Sequence, residues 1–399
     1  MRILVHDFAG HPFQVQLSRS LARRGHTVLH AYCASLNTTP QATLSVQPDD
    51  PPGFMIRGLA LDRPINKQAF VERWRQERAY GKQIADAARS FRPDVVLSAN
   101  TPLDAQARLL AVSQSIGARF VFWVQDLIGL AAERLLRGKV PVVGGFVGTH
   151  YAKLERRLLA QSDALVLITE DFRSAVPEID RHGQAHVVPN WAPLDAVPTR
   201  PRDNAWTEAT DLPSGLRFVY SGTLGMKHNP ALLLHLAERF PDAEVVVVSQ
   251  GAGSDWLRKH GDSLPNLRLL PFQPFDALPD VLGAADVLVA VLEPDAGVFS
   301  VPSKVLTYLC TGRPLLLAVP PENLAARIVA EHEAGLVVAP TDTDAFLRAA
   351  AILAADPERR ATFSANARAY AERHFDIGAI TDRFEPILTG QMHLTSATA

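Results

Sequence analysis

The feature that most limits this chain's architecture is a rhythm of short apolar runs separated by helical patterns, and the rhythm occurs twice. Ile3–Val5, Thr27–Ala31, Val95–Ser98, Phe120–Trp123 and Leu165–Ile168 are short and apolar, as strands buried on both faces must be. Helical spacing over Phe13–Arg24, Gln68–Phe91 and Leu103–Ile116 places helices between them. Such alternation predicts a parallel sheet with helices on both faces. The rhythm breaks over Asp195–Gly215, which is rich in Pro, Asp, Thr and Arg and reads as a linker. It restarts with Phe218–Ser221, Val245–Ser249, Leu267–Leu270, Val287–Val291, Leu315–Val319 and Leu336–Val338. The expected fold is α/β: two doubly wound Rossmann-like domains facing a cleft. They are an N-terminal domain over 1–195, a linker over 196–215 and a C-terminal domain over 216–375, with a C-terminal helix and tail over 376–399 free to pack back on the first domain.

Composition narrows the function classes. A length of 399 residues exceeds one ordinary core, and a hydrophobic fraction of 47% fills two. Net charge is -2, without the basic balance of a nucleic-acid binder. Two distant cysteines, Cys33 and Cys310, offer neither zinc spacing nor a disulfide framework, which fits a reducing compartment. Met1–Val5 opens as a strand rather than a signal peptide, and no run approaches the roughly 20 apolar residues of a membrane span. A cytoplasmic location is expected.

Ligands of doubly wound sheets bind at the carboxyl ends of strands. The stretch "VFSVPSKVLTYLCTGRPLLLAV" (Val298–Val319) offers such a place. Pro302 suits the first helical position, and Ser303 and Lys304 then fall in the first turn, where N–H groups are unpaired and the helix dipole is positive. A phosphate there gains backbone bonds and a full charge from Lys304. The alternative is a solvated lysine, although cations are disfavoured at a helix start. "YSGTLGMKHNP" (Tyr220–Pro230) repeats the theme: Gly222 and Gly225 allow a tight turn around Thr223, and Lys227 follows. Lys304 and Lys227 together would clamp a diphosphate. Gly251, in "SQGAGS", opens a helix or is part of an ordinary βα turn. Phe272 and Gln273 have the chemistry to stack on and hydrogen-bond a nucleobase, and Phe272 equally suits a core.

These features, with "LPDVLGAADVLVAVLEP" (Leu278–Pro294) and "DPERRATFSANARAYAERHFD" (Asp356–Asp376), occur in an order that resembles the retaining GT-B glycosyltransferases of family 4. "ALVLITEDFRSAV" (Ala164–Val176) and "VVPNWAPLD" (Val187–Asp195) extend the resemblance through the first half, and the Pro-Ser-Lys form is similar to the branch that builds bacterial surface polysaccharides. The resemblance implies a UDP- or GDP-linked sugar donor on the C-terminal domain, a glycan or polyprenyl-linked acceptor on the N-terminal one, and transfer with retention. It implies no cofactor and no metal. Lys304 and Lys227 become catalytic candidates. Gly222, Thr223, Gly225, Gly251, Phe272, Gln273, Glu293, Ser300, Pro302, Ser303 and Thr307 become donor-site candidates.

The sequence departs from the pattern in places. Phe299 and Thr307 stand where relatives usually keep two glutamates, and Thr223 stands where they usually keep Arg. Glu293 or Asp295 could supply sugar-hydroxyl contacts instead, or be solvated loop acids. In the first domain, "VFWVQDLIG" (Val121–Gly129) puts Gln125 in place of a usual His and keeps Asp126. Asp126 is the third catalytic candidate, to orient an acceptor hydroxyl or the donor sugar, and it would also cap a Leu127–Arg137 helix. Gly10, His11 and Asn100 complete the acceptor side, with His11 a candidate base. "VERWRQERAYGKQ" (Val71–Gln83) and "RLLRGKVPVVGGFVGTHYAKLERRLL" (Arg134–Leu159) mix basic and apolar residues. They suit an anionic membrane surface, or form a solvated helix face and a mobile loop. Two other classes compete: a nucleotide-sugar 2-epimerase, which would want more acids and histidines, and a catalytically weak sugar-nucleotide-binding subunit that needs a partner.

Overall fold

A computed structural model describes residues 1–36, 44–66, 69–99, 101–139, 143–225, 228–293 and 302–391. The chain divides into two compact units, Met1–Asn190 with Ile377–Ala399, and Trp191–Asp376.

Unit one holds a seven-stranded sheet of β1 (Arg2–Asp7), β2 (Thr27–Cys33), β3 (Phe54–Leu59), β4 (Val95–Ala99), β5 (Arg119–Val124), β6 (Ala164–Leu167) and β7 (Ala185–Val187), in the order β3-β2-β1-β4-β5-β6-β7. Every ladder is parallel. Its helices are α1 (Pro12–Arg23), α2 (Phe70–Phe91), α3 (Leu103–Ser115), α4 (Ile128–Lys139), α5 (Val143–Gln161), α6 (Asp171–Ala175) and α7 (Pro177–Asp180). The central strands β4 and β6 are buried at every position, which explains their unbroken apolar runs. The edge strand β3 is fully buried only at Phe54 and lacks such a run.

Unit two holds β8 (Arg217–Ser221), β9 (Glu244–Val248), β10 (Leu267–Leu270), β11 (Val287–Val291), β12 (Leu315–Ala318) and β13 (Gly335–Val338), in the order β10-β9-β8-β11-β12-β13, again all parallel. Around them lie α8 (Ala205–Ala209), α9 (Ala231–Arg239), α10 (Ala252–His260), α11 (Leu278–Gly283), α12 (Ser303–Cys310), α13 (Leu324–Glu331), α14 (Thr343–Ala355) and α15 (Pro357–His374). Leu233, Leu236, Val245, Val247, Val289, Leu316 and Phe346 form part of its core. The last helix, α16 (Ile377–Thr389), belongs to unit one. There Phe384 meets Trp123 with ring centres 4.7 Å apart, and Thr381 hydrogen-bonds Ser20 at 2.7 Å.

Two segments differ from their sequence reading. Asp195–Gly215 is an ordered part of unit two rather than a bare linker. Asn204 caps α8 by accepting from Trp206 N and Thr207 N, while Thr207 Oγ1 accepts from Asn204 N. Arg202 pairs with Asp286 at 2.9 Å, and the buried Arg217 pairs with Asp203 at 2.9 Å. The polar composition thus supplies tertiary partners. In the second segment, 134–139 belongs to α4 and 143–159 to α5, where the sequence reading allowed a loop. A Cβ on Gly148 would lie 2.7 Å from Glu133 Cα, and one on Gly129 would lie 2.6 Å from Tyr151 O, so these glycines let the two helices approach closely.

Candidate active site

At the carboxyl edge of the unit-two sheet, β8 pairs with β11 only through Phe218 and Val219. Beyond them, Ser221 is held by Tyr308 of α12, whose hydroxyl accepts from Ser221 N and donates to Ser221 O, both at 2.9 Å. This fixes α12 against the end of β8. Pro302 is extended (φ -68°, ψ 101°) and stands at the helix cap, so Ser303, not Pro302, begins the helix. Proline's fixed φ is compatible with both places, and ψ decides between them. Lys304, in the first turn, is half-buried. Its ammonium donates to the Tyr220 hydroxyl and lies 3.9 Å from the centre of the Tyr220 ring. It passes over Gly222, whose φ is 131° and where a Cβ would come 3.1 Å from Lys304 Nζ. Only glycine meets both conditions.

The Gly222 loop is in turn fixed to the end of β9. Gly222 N donates to Val248 O at 3.0 Å, and Leu224 N to Gln250 O at 3.1 Å. Gly251 (φ 111°) sits where a Cβ would meet Leu224 O at 3.0 Å, so the packing of two loops explains this glycine without a ligand. Gly225 N donates to His228 Nδ1 at 3.0 Å. Thr223 and Ser303 are exposed, and Thr307, Glu293 and Phe272 are half-buried. Gln273 is engaged within the fold, accepting from Trp206 Nε1 at 3.2 Å and donating to Pro271 O at 2.9 Å. Lys227 and Ser300, with Asp295 and Phe299, lie outside the described residues.

In unit one, the carboxyl end of β1 carries a buried carboxylate, Asp7, which accepts from the backbone of Ala9 and His11 and from His11 Nδ1 at 3.0 Å. Burial opposes charge on Asp7, but His11 outweighs it and lowers the Asp7 pKa to about 2. Burial likewise opposes charge on His11, but Asp7, with Asp126 beyond, holds its pKa above the usual value. That favours imidazolium and weakens the reading of His11 as a base. Gly10 lies beneath Leu44, and a Cβ there would meet Leu44 Cδ1 at 3.0 Å. Behind the pair, burial pushes His6 down to about 3, and neutral His6 bonds Ser98 at 3.0 Å and Tyr80 at 2.8 Å.

Gln125 is buried and donates to Asn190 Oδ1 at 3.1 Å, so its amide serves the fold. Asp126 is half-buried. The amides of Gly129 and Leu130 at the start of α4 are taken by Glu155 of α5, at 2.9 and 3.1 Å. The carboxylate capping these amides is therefore Glu155 rather than Asp126. Asn100 lies outside the described residues. Among the described residues, no group of three or more His, Cys, Asp or Glu is placed to hold a metal ion.

Two family models match the chain, a glycosyl transferase 4-like domain over residues 11–191 and glycosyl transferases group 1 over residues 216–356. The chain belongs to the family 4 glycosyltransferases. This glycosyltransferase is 27% identical over 240 residues to the putative colanic acid biosynthesis glycosyl transferase WcaI of Escherichia coli, a match spanning 57% of each protein. Its GT-B fold is shared with sucrose-phosphate synthase from Thermosynechococcus elongatus, at TM-score 0.74 and 16% identity over 98% of both chains. It is shared too with Anabaena HepE in complex with UDP-glucose, at TM-score 0.69 and 14% identity, covering 98% of this chain and 100% of that one.

Within the glycosyltransferase, the structure brings Lys304, Pro302, Ser303, Gly222, Thr223, Gly225 and Gly251 to one edge of the unit-two sheet. It brings Gly10 and His11 to the end of β1 and Gln125 and Asp126 to the end of β5. Sequence reasoning missed Asp7, Tyr220, Tyr308 and Glu155. Asp7 and Tyr220 left a signal, being polar side chains at the last and the last-but-one positions of buried strands. Tyr308 and Glu155 left none, since each lies in an ordinary helical pattern.

Proposed function

We propose that this glycosyltransferase moves a sugar from a UDP- or GDP-linked donor to a glycan or polyprenyl-linked acceptor, with retention, in the assembly of a surface polysaccharide. The observation that carries the reading is the Lys304 ammonium held over Gly222, in the first turn of α12 and at the carboxyl end of β8. The name of WcaI, which refers to colanic acid biosynthesis, and the UDP-glucose in the HepE structure support the acceptor and donor classes.

In this mechanism the bond between the anomeric carbon and the diphosphate oxygen breaks through an oxocarbenium-like state. Negative charge grows on the diphosphate and is met by Lys304, by Lys227 and by the first-turn N–H groups of α12. Thr223, Ser303, Thr307 and Glu293 are the polar groups assigned to the donor. The acceptor oxygen bonds to the anomeric carbon on the face the diphosphate leaves, and its proton passes to a departing phosphate oxygen. The nucleoside diphosphate leaves, and neither a protein base nor a metal is required. Asp126 orients the acceptor hydroxyl or the donor sugar, and His11 contacts the acceptor.

The decisive experiment is transfer by the purified chain from UDP- and GDP-sugars to a polyprenyl-linked acceptor, with product configuration read by NMR and with an EDTA arm. Lys304→Ala is expected to lower turnover by about 10²-fold or more in a folded protein. Wild-type turnover in that variant, inversion, or loss of activity in EDTA would each refute the corresponding part of the reading. Thr307, placed where relatives usually keep an acid, favours a second reading as a binding subunit that needs a partner. Transfer by the chain alone excludes it.

We also assign the chain to the cytoplasmic face of a membrane. Among the described residues no helix is long and apolar enough to cross one. At the start of α2, Phe70 and Val71 are 59% and 57% exposed. They are followed on the helix by exposed Arg75, Arg78 and Lys82, with Arg78 stacked 4.7 Å over Trp74. Apolar residues followed by cations at helical spacing suit an anionic leaflet.

A further inference from the structure

Tyr220 is 1% exposed and occupies the last position but one of β8. Its hydroxyl donates to Thr223 O at 2.9 Å, which commits its only hydrogen and leaves its oxygen as an acceptor. Burial raises its pKa well above the ordinary value, so the phenol stays neutral. Lys304, 84 residues further along the chain, donates to that oxygen and lies against the same ring. The result is a relay from the α12 ammonium to the Tyr220 hydroxyl to the Thr223 carbonyl, which ties the lysine to the Gly222–Gly225 turn.

We propose that Tyr220 is a positioning residue that presents Lys304 to the donor diphosphate. A lysine ammonium has three N–H bonds on a flexible stem. Tyr220 takes one of them and holds the stem over Gly222, so that the ammonium charge is set at the carboxyl end of β8. The ring face adds a cation–π attraction that draws the ammonium towards this wall of the site. The lysine is thus ordered before the nucleotide arrives, so binding need not freeze it. This inference rests on the reading of Lys304 as the diphosphate ligand.

The test is a double-mutant cycle on the full chain, with UDP and GDP affinities measured by calorimetry and KM and kcat measured with the corresponding sugars. Tyr220→Phe keeps the ring and removes both the acceptor for Lys304 and the donor to Thr223 O. It is expected to weaken nucleotide binding about tenfold, the effect of one hydrogen bond to a charged group. Tyr220→Leu removes the ring as well and is expected to weaken binding further, with folding checked by circular dichroism. In a Lys304→Ala background, Tyr220→Phe is expected to change nothing more. Unchanged or tighter binding by Tyr220→Phe in the wild-type background overturns the proposal, as does an equal loss with and without Lys304. If Lys304→Ala weakens binding and the cycle is additive, only the positioning role fails. If Lys304→Ala leaves binding and turnover unaltered, the donor reading fails and takes this proposal with it.

Discussion

Replacing Glu155 by Gln should change how stability depends on pH. Glu155 is 2% exposed in α5 and accepts from the amides of Gly129 and Leu130 at the start of α4. Burial raises its pKa to about 7, against the pull of those amides. Below the unfolded value of 4.5 the group is protonated in both states and contributes no pH dependence. As pH rises from there, the unfolded chain loses its proton first, so the folded state binds more protons and stability falls. The fall ends near pH 7, where the folded carboxyl also ionises. The shift corresponds to a loss of about 3 kcal/mol between those limits. Gln has no proton to lose; its one side-chain oxygen accepts from one α4 amide, and its NH2 group faces the other N–H and cannot accept from it. Glu155→Gln should therefore carry a pH-independent loss from the amide left unpaired, and relative to the wild type should gain up to about 3 kcal/mol between pH 5 and pH 8. Urea unfolding at a series of pH values, with hydrogen exchange of the Gly129–Leu130 peptide as a local readout, measures this directly. A difference between variant and wild type that stays constant from pH 5 to pH 8 would refute the reasoning.

Gly222→Ala forces a side chain into a φ of 131° and against Lys304, and should cost about 1–3 kcal/mol of stability while abolishing tight UDP or GDP binding; unimpaired binding would show that the lysine does not need this path. Asp7→Asn should lower the His11 pKa, so the variant loses its imidazolium at a lower pH than the wild type does. Histidine-resolved NMR titration reads this, and an unmoved His11 would dissociate the pair. Reversing Arg75, Arg78 and Lys82 to Glu should abolish co-sedimentation with phosphatidylglycerol vesicles at low salt and leave transfer to a soluble acceptor intact, whereas undiminished vesicle binding would remove α2 from the membrane reading.

The central strands were legible because a strand buried on both faces has to be apolar at every position. The Asp356-Pro357 break was legible for a local reason too: Asp356 caps α15 and Pro357 is its first residue. The edge strands β3 and β7 were not legible, because half-exposed positions need no apolar pattern. Asn204 and Thr207 show that a polar stretch can hide a helix whose signal is a capping box rather than an apolar face. At the site, Lys304 and Gly222 stood out singly as a cation in a first helical turn and a glycine after a strand. Their partnership through Tyr220 was invisible, since nothing local links residues 84 positions apart.

The sequence by itself determined the parallel α/β architecture, the break between two series of strands, and the residue types able to meet a diphosphate. Those properties are written in local periodicity and in the chemistry of single side chains. Only the tertiary structure decided that Ser303 rather than Pro302 opens α12, that Glu155 takes the α4 amides beside Asp126, that Asp7 raises the His11 pKa, and that Tyr220 holds Lys304 over Gly222. The first turns on the ψ of Pro302; the other three depend on a hydrogen bond or a buried charge whose partner is supplied by the packing and register of the surrounding elements, and a pattern along the chain carries no record of that distance.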